Sequence, residues 1–213
     1  MRTTILLTVV GSQAYGLAGP ESDVDMRGVY VPPTEAFWRF DKPPTSVTGP
    51  EPERLDWEVE HFCALALRAN PTVLEALASP LVRACTPVGA ELRGLLPAFL
   101  SRRAADTFAH TARRQLGRAL VPERPKLKQL MHVIRLTEVA LRLVRTGELS
   151  LLAEDRDALL AVRSGETPLP ESVARARSLL TDLAAADSGP LPAAPDRAVV
   201  QDWLVTVRRR FLP

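Results

Sequence analysis

The sequence has few cysteines and no long apolar run. Its only two cysteines, Cys63 and Cys85, stand far apart and outside any metal-binding spacing. Their number excludes a disulfide-stabilised scaffold and a zinc-binding cysteine motif, and it predicts two reduced, buried thiols in a cytoplasmic protein. No apolar run approaches the ~18 residues that a membrane-spanning helix needs, so we expect no membrane partner.

Lysine is also scarce. Lys42, Lys126 and Lys128 are the only three lysines, so arginine supplies most of the 27 basic residues, and 25 acidic residues leave a net charge of +2. This balance excludes a protein that wraps nucleic acid by bulk positive charge, and any RNA contact needs a local basic patch. A hydrophobic content of 46% over 213 residues predicts a folded protein with a sizeable core. The oligomeric state is not indicated.

The most informative segment begins at the first apolar run. Residues Thr4–Val10 are apolar or β-branched, which predicts a buried strand, and Gly11 ends it. Ten residues separate Ser12 from Asp23, and Asp23 and Asp25 stand at the start of a second strand-like run. On a strand, acids two residues apart project to the same side. Two neighbouring carboxylates repel each other, and a shared divalent cation such as Mg²⁺ relieves that repulsion.

Gly11 and Ser12 predict a seat for phosphate beside these acids. Glycine lacks a Cβ and lets the backbone approach a phosphate, and Ser12 adds a hydroxyl at the start of a short predicted helix, where free amides attract anions. A Gly-Ser pair alone is typical of an ordinary turn, and an Asp-x-Asp alone of a solvated strand edge. Their combination at this spacing, between two strand-like runs, favours a nucleotide site.

The run Gly-Ser-x10-Asp-x-Asp, with Ala14-Tyr15-Gly16-Leu17 and Arg27-Gly28-Val29 around it, resembles the DNA polymerase β-like nucleotidyltransferase superfamily. Within that superfamily it is similar to the predicted nucleotidyltransferases associated with RNA repair. The resemblance covers about residues 5–165 and is strongest over 11–31. It implies transfer of a nucleoside monophosphate from a nucleoside triphosphate such as ATP to a hydroxyl, at a two-metal Mg²⁺ site for which Mn²⁺ is the alternative ion.

The resemblance leaves the acceptor open among several classes. An RNA 3′ end is the first expectation, from the RNA-repair branch. A protein hydroxyl is the alternative, as in antitoxin nucleotidyltransferases that adenylylate a toxin partner, and a small molecule is the third. A catalytically silent nucleotide-binding module is a different class with the same fold.

The resemblance also implies a third carboxylate from a neighbouring strand. Laying Trp57–Phe62 on the aromatic-acid-aliphatic element of the family favours Glu58, with Asp56 as the fallback. The expected metal ligands are therefore Asp23, Asp25 and Glu58. The other interpretation places these acids of residues 53–60 in the first turn of a helix, where the helix dipole favours them.

Two further elements match the resembled family. Lys128, His132 and Arg135 share one helix face at i, i+4 and i+7, and the family's similar Lys-x-x-x-His-x-x-Arg helix implies that they bind the triphosphate. The alternatives are a solvated face and an interior histidine. Asn70-Pro71 with Glu75 matches an Asn-Pro-x-x-x-Glu element, whose simpler role is to break and cap a helix.

The predicted fold class is α+β. A small mixed sheet in a nucleotidyltransferase core, residues 1–80, precedes an all-helical C-terminal domain, residues 81–213. Proline and apolar periodicity predict the helices at 88–121, 126–146, 151–164, 170–186 and 196–211, with a break at Pro122-Glu123-Arg124-Pro125. Residues 34–52 form a proline-rich excursion that is either a surface connection or a lid over the site.

Overall fold

The computed structural model describes residues 2–120, 125–187 and 189–212. These residues form an α+β fold, as predicted. The strands are β1 Thr3–Val9, β2 Met26–Val31, β3 Ser46–Thr48, β4 Arg54–Glu58 and β5 Val82–Cys85. The helices are α1 Val59–Leu67, α2 Pro71–Ala78, α3 Pro87–Gly94, α4 Leu96–Phe99, α5 Arg102–Ala119, α6 Leu127–Thr146, α7 Arg156–Ser164, α8 Leu169–Ala185 and α9 Arg197–Arg210. A 3₁₀ helix spans Thr34–Trp38.

The chain forms two compact units. The first comprises Met1–Phe99 with Pro195–Pro213, and the second comprises Leu100–Ala194. The first unit contains the whole sheet and also α9, which returns to it through backbone hydrogen bonds from Thr34 N to the Phe211 carbonyl, at 2.9 Å, and from Asp196 N to the Ala98 carbonyl, at 2.8 Å. The compact units therefore divide after residue 99, whereas the predicted domain boundary lies at residue 80.

The five strands make one mixed sheet in the order β3-β4-β2-β1-β5. β2 pairs in parallel with β4, and the other neighbours are antiparallel. The predicted first strand is confirmed: β1 is buried on both faces from Ile5 onwards, as its unbroken apolar run requires. β5 lies in the region predicted to be all-helical. Its four residues are all exposed at the sheet edge, so no alternation of buried and exposed residues marks it in the sequence.

The predicted helix 88–121 is three helices in the structure. α3 ends at Gly94, α4 is a single turn, and Ser101 takes an extended backbone conformation (φ −158°, ψ 172°) before α5 begins. The predicted break at Pro122-Glu123-Arg124-Pro125 lies, except for Pro125, outside the described residues.

The second unit is built around α6. This helix packs against α5, α7 and α8, and its apolar residues, among them Leu130, Ile134 and Leu143, are fully buried. None of the helices in the described ranges combines the length and apolar character that a bilayer crossing demands.

The packing of α3 on β1 predicts opposite effects for two glycines of that helix. A Cβ at Gly89 would lie 2.0 Å from the Ile5 carbonyl oxygen, whereas a Cβ at Gly94 would meet nothing within 4 Å. Gly89→Ala should lower the free energy of unfolding by about 1–3 kcal/mol, because helix and strand must separate. Gly94→Ala, the matched control, should leave it unchanged or raise it by up to ~1 kcal/mol. Urea denaturation measures both, and equal effects would refute this packing.

Candidate active site

β1 ends at a turn that only glycine fits. Gly11 has a φ of +71°, in the left-handed region, and a Cβ at this position would lie 2.9 Å from Asp25 Oδ2. The amide of Val10 donates to the Asp25 carbonyl at 2.9 Å, which joins the end of β1 to the segment before β2. The absent side chain at Gly11 thus leaves room for the Asp25 carboxylate against the main chain.

The segment after Gly11 is a turn and not the predicted short helix. Tyr15 N donates to the Gly11 carbonyl at 3.1 Å and Leu17 N to the Ser12 carbonyl at 2.9 Å. Gly16 then adopts a φ of +73°, which ends the turn before a second round can form. The proposed phosphate seat therefore consists of the turn itself, with Gly11 and Ser12 half-buried at its start.

This turn is fastened to α2 through residues that the sequence did not single out for the site. The Tyr15 hydroxyl donates to Glu75 Oε2 at 2.6 Å, and both side chains are buried. Asn70 caps α2 by accepting from Val73 N at 3.4 Å, as its position before Pro71 predicts. Glu75 therefore positions the glycine turn, and its place in the Asn-Pro-x-x-x-Glu element is the sequence signal for it.

Asp23 and Asp25 precede the second strand instead of lying on it. β2 begins at Met26, because the chain reaches the ladder only after the exposed residues that follow the turn. Asp25 is half-buried, and its Oδ1 lies 3.4 Å from Arg27 Nη2. Asp23 is exposed. Two residues span at most about 7 Å of chain, so both carboxylates remain near the Gly11 turn.

The β4 acids, Asp56 and Glu58, lie on the face of the sheet opposite to the Arg27 side chain. The parallel register sets Gly28 opposite Asp56 and Arg27 opposite Leu55. A Cβ at Gly28 would lie 2.1 Å from Asp56 Oδ1, so Asp56 covers the Gly28 face. Arg27 projects to the opposite face from Gly28, and Asp25 lies with Arg27, its Oδ1 3.4 Å from Arg27 Nη2. A regular sheet does not bring Asp56 to Asp25.

Asp56 is held by its neighbour Arg54 on the same strand. Arg54 Nε donates to Oδ1 at 2.9 Å and Nη2 to Oδ2 at 2.8 Å, and the carboxylate is buried. The hydrogen bond to Asp56 raises the pKa of Arg54 above its usual value. This two-point ion pair gives Asp56 a structural role in the sheet.

Glu58 ends β4 and caps α1. Its Oε2 accepts from Glu60 N at 2.8 Å and His61 N at 3.2 Å, and its Oε1 lies 2.8 Å from Nη2 of Arg208 on α9. For Glu58, the interpretation of an acid at a helix start therefore describes the structure. Two amides thus satisfy Oε2, whereas the buried Oε1 has the Arg208 ion pair and no aligned hydrogen bond.

The donor set decides how a divalent cation fits. Among the side chains at 2–120, 125–187 and 189–212, no group of three or more His, Cys, Asp or Glu could hold a metal. The structure does not bring Glu58 to Asp23 and Asp25. Mg²⁺ commonly binds through one or two carboxylates together with substrate phosphates. The oxygen donors of Asp23 and Asp25 fit that chemistry.

Lys128, His132 and Arg135 lie on α6, in the second unit. Exposure to solvent decreases along this helix face, from the exposed Lys128 through the half-buried His132 to the buried Arg135. Burial, followed by the charges of Arg135, Lys128 and Arg163, lowers the pKa of His132 to about 4. Near pH 7, His132 is therefore neutral and offers a phosphate an N–H donor but no positive charge. The triphosphate role of these residues stays a prediction.

The cysteines differ from each other. Cys63 is buried, and burial raises the pKa of its thiol to about 12, whereas Cys85 is exposed on β5 and not buried as predicted. Neither lies in the Gly11 turn or beside Asp25.

Comparison with known proteins identifies a family and a relative that this chain resembles. The sequence profile of the RNA repair pathway DNA polymerase beta family matches residues 2–187. The chain is also 31% identical over 130 residues to "Uncharacterized protein YcgL" of Bacillus subtilis (strain 168), an alignment that covers 59% of this chain and 50% of that protein. The chain thus matches about half the length of this relative.

The Glu58–Arg208 pair predicts a large stability effect. Arg208→Met should lower the free energy of unfolding by about 3–5 kcal/mol, because it leaves a buried carboxylate without its cation. Arg209→Met, on the exposed side of α9, is the control and should cost less than ~0.5 kcal/mol. Adding Glu58→Gln to Arg208→Met should recover part of the loss. Additive losses in urea denaturation would show that the pair is not coupled.

The low pKa of His132 predicts acid sensitivity. An unfolded histidine titrates near 6.5 and the folded His132 near 4, so the unfolded chain binds more protons between these values. Stability should therefore fall by roughly 1–3 kcal/mol as the pH drops from about 6.5 to 4. His132→Gln should remove this part of the pH dependence, and His110→Gln, at an exposed position on α5, should keep it. Denaturation curves at several pH values measure the difference.

Proposed function

The chain belongs to the RNA repair pathway DNA polymerase beta family, and from that membership and the site geometry we propose that it transfers a nucleoside monophosphate to an RNA 3′ hydroxyl. The observation that carries the proposal is the Asp25 carboxylate lying against Gly11 at the end of β1. This contact joins the two halves of the Gly-Ser-x10-Asp-x-Asp run in one place, and that run is the part of the chain most similar to nucleotidyltransferases.

The reaction is an in-line displacement at the α-phosphorus of a nucleoside triphosphate. The acceptor oxygen forms a bond to this phosphorus, the bond to the oxygen that bridges to the β-phosphate breaks, and pyrophosphate leaves with the electron pair. The acceptor proton passes to an Asp23 carboxylate oxygen, which is exposed and open to an incoming hydroxyl. Positioning and charge stabilisation supply most of the rate in such a transfer.

The residues of the Gly11 turn seat the nucleotide in this proposal. Gly11 lets the phosphates approach the main chain, and Ser12 offers its hydroxyl. Asp23 and Asp25 would hold Mg²⁺, or Mn²⁺, which when bound would neutralise charge on the reacting phosphates. Glu75 acts indirectly, because it holds the Tyr15 hydroxyl and Tyr15 belongs to the Gly11 turn.

Glu58 and Asp56 enter the proposal as structural acids. Arg208 and the α1 amides hold Glu58, and Arg54 holds Asp56. Two carboxylates alone bind Mg²⁺ weakly, so we expect tight metal binding only in the presence of the nucleotide. This dependence separates the proposal from a three-carboxylate site, which would bind the metal alone.

RNA is the proposed acceptor because the matching family is described as part of an RNA repair pathway. The test is to incubate the protein with Mg²⁺, each α-labelled ribonucleoside triphosphate and an RNA with a free or a blocked 3′ end. Label should enter only the RNA with a free 3′ hydroxyl. Label in a protein band from cell lysate, with none in RNA, would replace this acceptor by a protein. No label in any acceptor would leave the silent-module interpretation.

The paired acids predict a separation of stability from activity. Asp23→Asn with Asp25→Asn removes two repelling charges, so the melting temperature without ligand should be equal or higher. Transfer should fall by orders of magnitude, and the Mg²⁺-dependent rise in melting temperature with nucleotide should disappear. Glu21→Gln, an exposed acid two residues before Asp23, is the matched control and should keep both. If the melting temperature of the wild-type protein responds to no ribonucleotide in the presence of Mg²⁺, this result would contradict the proposed enzymatic function.

A further inference from the structure

The segment between β2 and β3 displays two aromatic rings to solvent. Trp38 is 72% exposed and Phe40 is 105% exposed, more than any other large hydrophobic residue in the described part of the chain. A folded protein commonly buries such rings, because each removes a large apolar area from water. Two such exposed rings, two residues apart, call for an explanation.

The segment that carries the two exposed rings is anchored at its base. Thr34 N donates to the Phe211 carbonyl at 2.9 Å, and Thr34 Oγ1 donates to the Arg208 carbonyl at 2.5 Å. The Arg208 guanidinium lies 4.1 Å from the centroid of the Phe37 ring. Lys42 Nζ donates to the Phe37 carbonyl from beyond the two rings. The base of the segment is thus attached to the end of α9, which holds the rings outward.

Basic side chains lie close in sequence to the two exposed rings. Arg39 lies between Trp38 and Phe40 in sequence, Lys42 follows, and both are exposed, with Asp41 as the one acid from Trp38 to Lys42. Aromatic faces that stack bases, with nearby cations for the phosphates, are what single-stranded nucleic acid binds. A protein partner would favour a continuous apolar patch, and here charged residues separate the rings.

We propose that Trp38 and Phe40 form a stacking platform for bases of single-stranded RNA, with Arg39 and Lys42 contacting its phosphates. The proposal rests on the proposed function for the identity of its ligand, since the RNA is the acceptor strand. It gives the excursion at residues 34–52 an acceptor-binding role and no role as a lid over the Gly11 turn.

The position of the platform fixes which nucleotides it binds. Asp25 precedes β2, and the 3₁₀ helix at Thr34–Trp38 follows it. The six residues of β2 span about 20 Å at the usual rise of a strand. With the acceptor 3′ end at Asp25, the platform holds bases several nucleotides upstream. An acceptor of two nucleotides does not reach it.

Intrinsic fluorescence tests binding without any need for catalysis. Trp57 is buried and Trp203 is half-buried, so Trp38 is the most exposed of the three indoles. An unstructured RNA of about 12 nucleotides should quench wild-type fluorescence, and Trp38→Phe should lose this quenching while keeping most of the affinity. Trp38→Ala with Phe40→Ala should bind this RNA at least about tenfold more weakly. Leu152→Ala, an exposed apolar residue on the second unit, should bind like wild type.

Transfer assays distinguish failure of this inference from failure of the proposed function. With the double variant, the KM for the longer RNA should rise about tenfold or more, while transfer to a dinucleotide and the Mg²⁺-dependent nucleotide effect on melting should not change. Wild-type and variant proteins that bind and use the longer RNA equally would overturn the platform and leave the function intact. Loss of transfer to a protein acceptor in the variant would assign the rings to a protein partner instead. Quenching by RNA without transfer to any acceptor would support the platform and overturn the function.

Discussion

The parallel register of β2 with β4 separates the buried acids of β4 from the carboxylate beside Gly11. It sets Asp56 against Gly28, where the missing side chain leaves space for the Asp56–Arg54 pair. β4 ends at Glu58, whose carboxylate meets the first amides of α1. Asp25 lies before β2, next to Arg27 and Gly11. One register therefore separates the structural acids from the pair beside Gly11.

The partners of each carboxylate follow the cost of burying charge. A buried carboxylate destabilises a fold unless hydrogen bonds or a cation satisfy it. Asp56 has Arg54, Glu58 has Arg208 and two amides, and Glu75 has Tyr15, each with a contact of 2.6–2.9 Å. The ion pair of Asp25 is longer, at 3.4 Å, and its side chain is 36% exposed. Asp25 is therefore the least tightly paired of these four carboxylates.

The sequence predicts what depends on local patterns and misses what depends on distant pairing. The buried run of β1, the turn at Gly11 and the cap at Asn70 follow from neighbouring residues. The face taken by Asp56 depends on which strand pairs with β2, and the partner of Glu58 comes from Arg208 near the other end of the chain. β5 carries no alternation, whereas Pro97 and the N-cap residue Ser101 are sequence signals for the break inside the predicted helix 88–121. The family resemblance implied a site at Gly11, Asp23 and Asp25 with a third acid from residues 53–60. The structure places Asp25 beside Gly11 and pairs Glu58 with Arg208 and Asp56 with Arg54.

The central claim is that Asp23 and Asp25, with the nucleotide, are sufficient to hold the metal. Crystals grown with Mn²⁺ and a non-hydrolysable nucleoside triphosphate would test it directly, by anomalous diffraction from the manganese. We expect an anomalous peak bound by Asp23, Asp25 and phosphate oxygens beside Gly11, with Glu58 still paired to Arg208. A peak bound by Glu58 or Asp56, or a nucleotide that does not touch the Gly11 turn, would contradict the account.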